Sequence, residues 1–323
     1  MAGHDSVIVS SGPLRRAVAV TVSAGRPSVI DIVTGERQSG VAGGALTEPV
    51  VARVRDAYGN AVVRSSVNFR AESGGNAVPA TATTDATGSA RVLWTLGPLA
   101  GTQSLVVVAD SASATVEATA RAGVMVRVAD LEPIVRRTNA GDTVAVRLRA
   151  LDGFGNGVAG VVFAFSVAAG GGEVVPPRVE SDSTGLVETR WRTGTDAGPN
   201  ALQVRAIQVR DTTFRLVVRT IGGVPVAVQL VSGDGQRAAA QTAVRRPPVV
   251  RVVDRHGNPV SAVHIRFIAA LPSQVQPQEL VTDDRGEATP REWILGAPGE
   301  QLLLVVAQGV RDTLRVRARA LTR

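Results

Sequence analysis

Apolar and polar residues alternate over short stretches of this chain. Val50, Ala52 and Val54 enclose Arg53 and precede Arg55; Val146, Leu148 and Ala150 alternate with Arg147 and Arg149; Val250 and Val252 flank Arg251. A period of two puts one set of side chains in a core and the other in water, which is the pattern of a half-buried strand and not of a helix. The pattern resumes further on, with Val67 and Phe69, Phe163 and Phe165, and Ile265 and Phe267 in matching inward positions. Leu105, Val107, Ala109 and Leu202, Val204, Ala206 predict another strand, and Thr212 to Thr220 and Thr313 to Ala320 predict closing strands.

Turn signals divide these runs and recur in step. DAYGN (Asp56 to Asn60), DGFGN (Asp152 to Asn156) and DRHGN (Asp254 to Asn258) are 96 and 102 residues apart, and Trp94, Trp191 and Trp293 are 97 and 102 apart. Between each pair lies TDATG, SDSTG or TDDRG, ending at Gly88, Gly185 or Gly286. Such self-similarity marks a repeat. Short strands punctuated about every ten residues predict a sandwich of two antiparallel sheets. The fold expected is all-β: three tandem immunoglobulin-like β-sandwiches at 25–122, 123–221 and 222–323, the last divergent, forming an elongated rod of roughly 100 Å at ~3.3 Å per strand residue. Residues 1–24 read as the remnant closing strand of a preceding repeat or a disordered tail, because Arg15 to Val22 resembles Thr212 to Thr220. An array that continues upstream is the expectation.

Composition adds little chemistry. There is no Cys, so each repeat depends on its own core. Aromatics make up only 3% of the chain, and Val and Ala fill the apolar positions. The stretch MAGHDSVIVS lacks the plan of a secretory signal, and no apolar run approaches transmembrane length. The 35 basic residues are all Arg and leave a net charge of +7. That charge is graded, at +1, 0, +2 and +4 over residues 1–24 and the three repeats.

The succession of a strand, DxxGNxV, a strand with V-x-F, a Gly-rich turn, TDxxG and a strand ending in Trp-x-x-Gly resembles the group 1 bacterial immunoglobulin-like domains. These are the stalk repeats of invasin- and intimin-type surface proteins. The match extends over repeats one and two, with departures in repeat three, where LPSQVQPQE replaces Gly74-Gly75 and Gly170-Gly171-Gly172. The resemblance implies a structural stalk or spacer in a bacterial cell-surface or secreted protein, adhesion-related, whose neighbours are further Ig-like repeats. It also implies that an outer-membrane barrel and a lectin-like tip are missing from this chain.

The candidate sites each have a structural reading beside the chemical one. Asp56, Asp152 and Asp254 could be calcium ligands, but Asp at the first and Gly at the fourth position is a turn whose carboxylate accepts backbone N–H groups. Calcium needs six to eight oxygens, and Asp283-Asp284 comes nearest to supplying more than one acid per turn. Asn60, Asn156 and Asn258 close the same turns. His256 stands where Tyr58 and Phe154 stand, so the position calls for a flat side chain; His264 falls within a strand and His4 in the first segment. Trp94, Trp191 and Trp293 are expected in the cores. No catalytic, cofactor or metal motif is found, and neither an enzyme nor a small-molecule substrate is expected. Arg315, Arg317 and Arg319 share one strand face, as Arg215 and Arg219 do. They are either a solvated face that discourages edge pairing or a contact for an anionic partner such as polysaccharide, a lipid surface or nucleic acid.

Overall fold

The computed structural model describes residues 2–130, 137–207, 209 and 213–322. Thr212, the expected start of a closing strand, lies outside them, and the strand is described from Thr213. All regular elements among the described residues are strands.

The chain opens on a hairpin of β1 (Gly3–Ser11) and β2 (Leu14–Val22). β2 covers the closing strand expected at Arg15 to Val22, and β1 precedes it as its hairpin partner, so the segment is not a disordered tail. Val7-Ile8-Val9 is apolar on both sides of the strand, which hides the period of two and conceals β1 in the sequence.

The first sandwich follows, with β3 (Val29–Thr34), β4 (Ser39–Val41), β5 (Val50–Arg55), β6 (Ser66–Ala71), β7 (Asn76–Val78), β8 (Thr81–Thr83), β9 (Ser89–Thr95), β10 (Gly101–Ala109) and β11 (Ala112–Arg121). One sheet has the order β3-β5-β9-β7 and the other β4-β11-β10-β6-β8, in which β4 runs parallel to β11. Inward residues of both sheets meet in one core around Val50, Ala52, Val54, Val67, Phe69, Trp94, Leu105 and Val107. The arginines between them face out, and Arg55 pairs with Asp31 across β5 and β3.

The second sandwich repeats this plan. A sheet of Arg127–Asp130, Thr143–Leu151, Leu186–Thr193 and Gly172–Val175 accompanies one of Arg137–Asn139, Thr213–Ile221, Gly198–Ala206, Val162–Ala169 and Arg178–Glu180. In the third, Gln236–Ala239, Leu314–Leu321, Gly299–Ala307, His264–Ala269 and Glu279–Val281 form the five-stranded sheet. Its opposite layer is broken, because the Trp strand splits into Glu287–Ala288 and Glu292–Ile294 around Pro290. Proline lacks the N–H that a central strand must donate. The extra residue keeps Trp293 facing inward, fully buried like Trp94 and Trp191. The fold is thus three tandem Ig-like β-sandwiches.

By backbone proximity the chain divides into two units. One comprises Met1–Ala129, Arg149–Gly160 and Ser181–Leu186; the other comprises Asp130–Leu148, Val161–Glu180 and Val187–Arg323. The DGFGN and SDSTG turns of the second repeat belong to the unit that holds the first.

Candidate functional site

The DxxGN turns carry the same set of side-chain hydrogen bonds in all three repeats. Asp56 Oδ1 accepts the backbone N–H groups of Tyr58 and Asn60, at 2.9 Å each. The equivalent bonds are made by Asp152 with Phe154 and Asn156, and by Asp254 with His256 and Asn258, at 2.8–2.9 Å. Each Gly N–H returns to the Asp carbonyl, closing the turn. This much follows from the local spacing of Asp and Gly.

The other carboxylate oxygen serves a connection between segments. Oδ2 of Asp56, Asp152 and Asp254 accepts the N–H of Gly25, Gly123 and Gly223, at 2.8, 2.9 and 2.9 Å. These glycines stand just before the first strand of each sandwich, so the Asp pins the point of entry. Oδ2 also takes a bond from the Asn side chain of its own turn, at 2.9 Å in all three copies.

Asn has a second role that spacing alone does not reveal. Asn156 Oδ1 accepts Ala100 N–H at 2.8 Å, and its Nδ2 donates to Pro98 O at 2.8 Å. Asn258 does the same to Ala197 N–H and Thr195 O, both at 2.7 Å. In each case the partner loop follows the Trp strand of the preceding repeat. Asn60 Oδ1 likewise accepts Ala2 N–H at 2.7 Å. The only sequence sign of this is the Ala before Gly101 and Gly198, matched by Ala2 before Gly3.

In the second and third repeats the residue after the Asp-x pair packs on a neighbouring turn, whereas Tyr58 of the first is exposed. Gly43 has φ +75°, and a Cβ there would lie 2.7 Å from Phe154 Cζ, so the ring rests on a bare backbone. His256 approaches Gly141 in the same way, with Nε2 3.7 Å from where a Cβ would be. Arg255 Nε donates to that Nε2 at 2.9 Å. A cleft of about 470 Å³ beside His256 is lined by Glu173, Arg192, Asp196 and Arg255, which are mixed in charge and do not converge on a reacting centre.

Electrostatics agree with a structural carboxylate. The Asn60 side chain, and next the Gly25 N–H, lower the pKa of Asp56 to about 2. For Asp152 and Asp254 burial pushes the pKa up, but the hydrogen bonds from Asn156 and Gly123, and from Gly223 and Asn258, outweigh it and the net shift is down. Asp85 and Asp182 in the TDxxG-type turns are lowered first by the hydroxyls of Thr87 and Thr184. In the third such turn Asp283 accepts the N–H groups of Arg285 and Glu287. Among the described residues no cluster of three or more His, Asp or Glu is placed to hold a metal ion.

The remaining candidates are separate. His4 Nδ1 meets Thr21 Oγ1 at 3.0 Å, and His264 is exposed on the outer face of its sheet. Arg315, Arg317 and Arg319 are exposed on one face of Leu314–Leu321, without an ion pair among the described residues. Leu304, Leu302 and Glu300 lie opposite them on the next strand. That strand is second in its sheet, and Gln236–Ala239 pairs with its residues 318–321, so of the three arginines Arg319 alone lies in the flanked stretch.

No family model and no curated protein matches this chain. Solved structures do resemble it. The Escherichia coli adhesin FdeC superposes with a TM-score of 0.62 at 19% identity, over 92% of this chain and 99% of that one. Invasin, a bacterial integrin-binding protein, aligns with a TM-score of 0.49 at 15% identity, over 91% of this chain and 60% of its own. The likeness to FdeC shows the fold alone, β-sandwiches in tandem.

Proposed function

We propose that this chain is a structural spacer, a stalk segment of a bacterial cell-surface or secreted protein that serves adhesion by positioning another part. The observation that carries this reading is the recurrence of one junction. Asn156 and Asn258 each grip a backbone N–H and a carbonyl two residues apart in the loop of the preceding repeat. Repeated polar geometry at the joins, with no metal-binding cluster among the described residues, suits a part whose task is to couple successive sandwiches. The invasin- and intimin-type pattern of the repeats and the likeness to an adhesin support it.

In repeat arrays, stability is approximately a sum of intrinsic and nearest-neighbour terms. Asn156→Ala or Asn258→Ala removes the neighbour bonds, and the coupling between flanking repeats should fall by about 1–2 kcal/mol. Urea unfolding followed through the one Trp per repeat reads this as less coincident transitions. Transitions that stay superimposed in both variants would count against a coupled spacer.

A second reading rests on the unpaired Arg315, Arg317 and Arg319 beside Leu302 and Leu304. In that reading this face of repeat three holds an acidic surface component or polymer of a host or neighbouring cell. Retention on heparin that is lost in the triple Arg→Ala variant, and that weakens with salt, is its expected result. Flow-through of the intact protein at low salt would dismiss it.

A further inference from the structure

The hairpin of β1 and β2 matches the closing hairpin of the first sandwich residue for residue, 98 positions on. Gly3 pairs with Val22 as Gly101 pairs with Ala120, and Ser11 pairs with Leu14 as Ala109 pairs with Ala112, so both hairpins have a two-residue turn and one register. Register decides which side chains face a core, because a slip of one residue exchanges the two faces. Gly3 and Gly101 share an unusual backbone, φ +153° and +127°, as do Gly198 and Gly299 at +153° and +124°.

The hairpin also sits on the first sandwich as the later hairpins sit on theirs. Ala2 N–H bonds Asn60 Oδ1 as Ala100 bonds Asn156 and Ala197 bonds Asn258. Gly25, at its exit, bonds Asp56 as Gly123 and Gly223 bond their own Asp.

One thing differs. Leu105, Val107 and Val116, at the inward positions of β10 and β11, are at most 1% exposed, whereas their counterparts Val7, Val9 and Val18 are 55%, 58% and 49% exposed. Nothing covers that face of the hairpin among the described residues, and Val20 and Val22 extend it. A two-stranded hairpin with a bare apolar face is marginal in water, and such a face marks a docking surface.

We infer that the β1–β2 hairpin is the closing hairpin of a fourth Ig-like sandwich, and that its Val face docks the strand set that completes it. The occupant has the form of residues 25–100, strands β3–β9, because that set covers the equivalent face of β10 and β11. Asp5 specifies the joint further. It stands at the position of Gln103, whose Oε1 accepts Gly97 N–H at 2.7 Å in the Trp-x-x-Gly loop. Asn200 and Gln301 accept Gly194 and Gly296 likewise, at 3.0 and 3.2 Å. Asp5 keeps the acceptor, with Oδ1 taking the Ser6 N–H at 2.8 Å, so the strand set it receives carries a glycine that offers its N–H at the position of Gly97.

The test is a fusion of residues 25–100 ahead of Gly3, with Ala100 in the place of Ala2 and the rest of the chain intact. The protein has no cysteine, so thiol labelling reports single positions. Val9→Cys probes the inward face and Ser10→Cys the outward one. The thiol of Val9→Cys should react freely in the parent and on the order of 100-fold more slowly in the fusion, since labelling then needs the sandwich to open. Ser10→Cys should change by less than about 3-fold, because its side of the sheet stays in water. A fusion whose added segment folds while Val9→Cys reacts at the parent rate overturns the inference. So does a parent in which Val9→Cys is already shielded within a dimer. Should the fusion not fold, replacing Gly101–Arg121 of the intact chain with Gly3–Ser23 decides: a folded first sandwich with Val9→Cys protected upholds the inference, and an unfolded one overturns it.

Discussion

Asp56 reaches four partners with two oxygens: the N–H groups of Tyr58, Asn60 and Gly25, and the Asn60 side chain. A carboxylate so placed prefers its charged form, which is why its pKa falls from 3.8 to about 2. The unfolded chain therefore takes up the proton first as pH drops. The stabilisation is complete above the ordinary carboxylate value and disappears as pH falls from about 4 through about 2. Asp56→Asn does not titrate, so its deficit against the native protein in urea midpoint should be full at pH 6 and should shrink below pH 4. A deficit that is constant across that range would contradict the assignment. The turn itself was readable from Asp and Gly at fixed spacing, because its partners lie within four residues. The grip of Asn156 and Asn258 on the preceding repeat was not. Their targets are main-chain groups 56 to 63 residues away, and a carbonyl leaves no mark on residue identity.

At the scale of elements, the Gly after each Trp strand shows why repeat three departs from the others. A Cβ at Gly194 would lie 1.6 Å from Gly170 O, and one at Gly97 would lie 1.9 Å from Ser73 O; both targets belong to the Gly-rich turns. Repeat three has Pro272-Ser273 there, and a Cβ at Gly296 would meet Pro272 Cγ at 2.8 Å and the Ser273 backbone N at 2.9 Å, a milder clash than the 1.6 Å at Gly194. Gly194→Ala should thus cost roughly 3 kcal/mol or more through backbone displacement, and Gly296→Ala on the order of 1–2 kcal/mol. Thermal unfolding of the two variants would show it, and equal losses would mean that the close approach in repeat two is not a constraint. Strands with strict alternation were legible, Val50 to Val54 above all. Short strands such as Ser39–Val41 and Thr81–Thr83 were not, and two longer elements were hidden for a physical reason. In β1 the run Val7-Ile8-Val9 masks the buried face, and the Trp strand of repeat three is interrupted at Pro290, so its one-residue shift registers in the sequence only as a misplaced Trp.

For the whole molecule, the repeat was plain in the sequence because several markers keep step, and it gives His256 and the three Asp a place in turns. The second proposed reading sets an acidic partner at the C-terminal repeat, where the positive charge is greatest and Arg315, Arg317 and Arg319 share a face. The spacer account makes a demand on dimensions that no local variant can test. The proposed spacer, a rod of three sandwiches with strands of up to ten residues, predicts a particle of roughly 100 Å with a radius of gyration of about 30 Å. A compact chain of 323 residues would have one of about 20 Å. Small-angle scattering from the intact protein separates the two directly: the larger radius with the cross-section of a single sandwich is the result predicted, and a compact particle near the smaller radius would contradict the account.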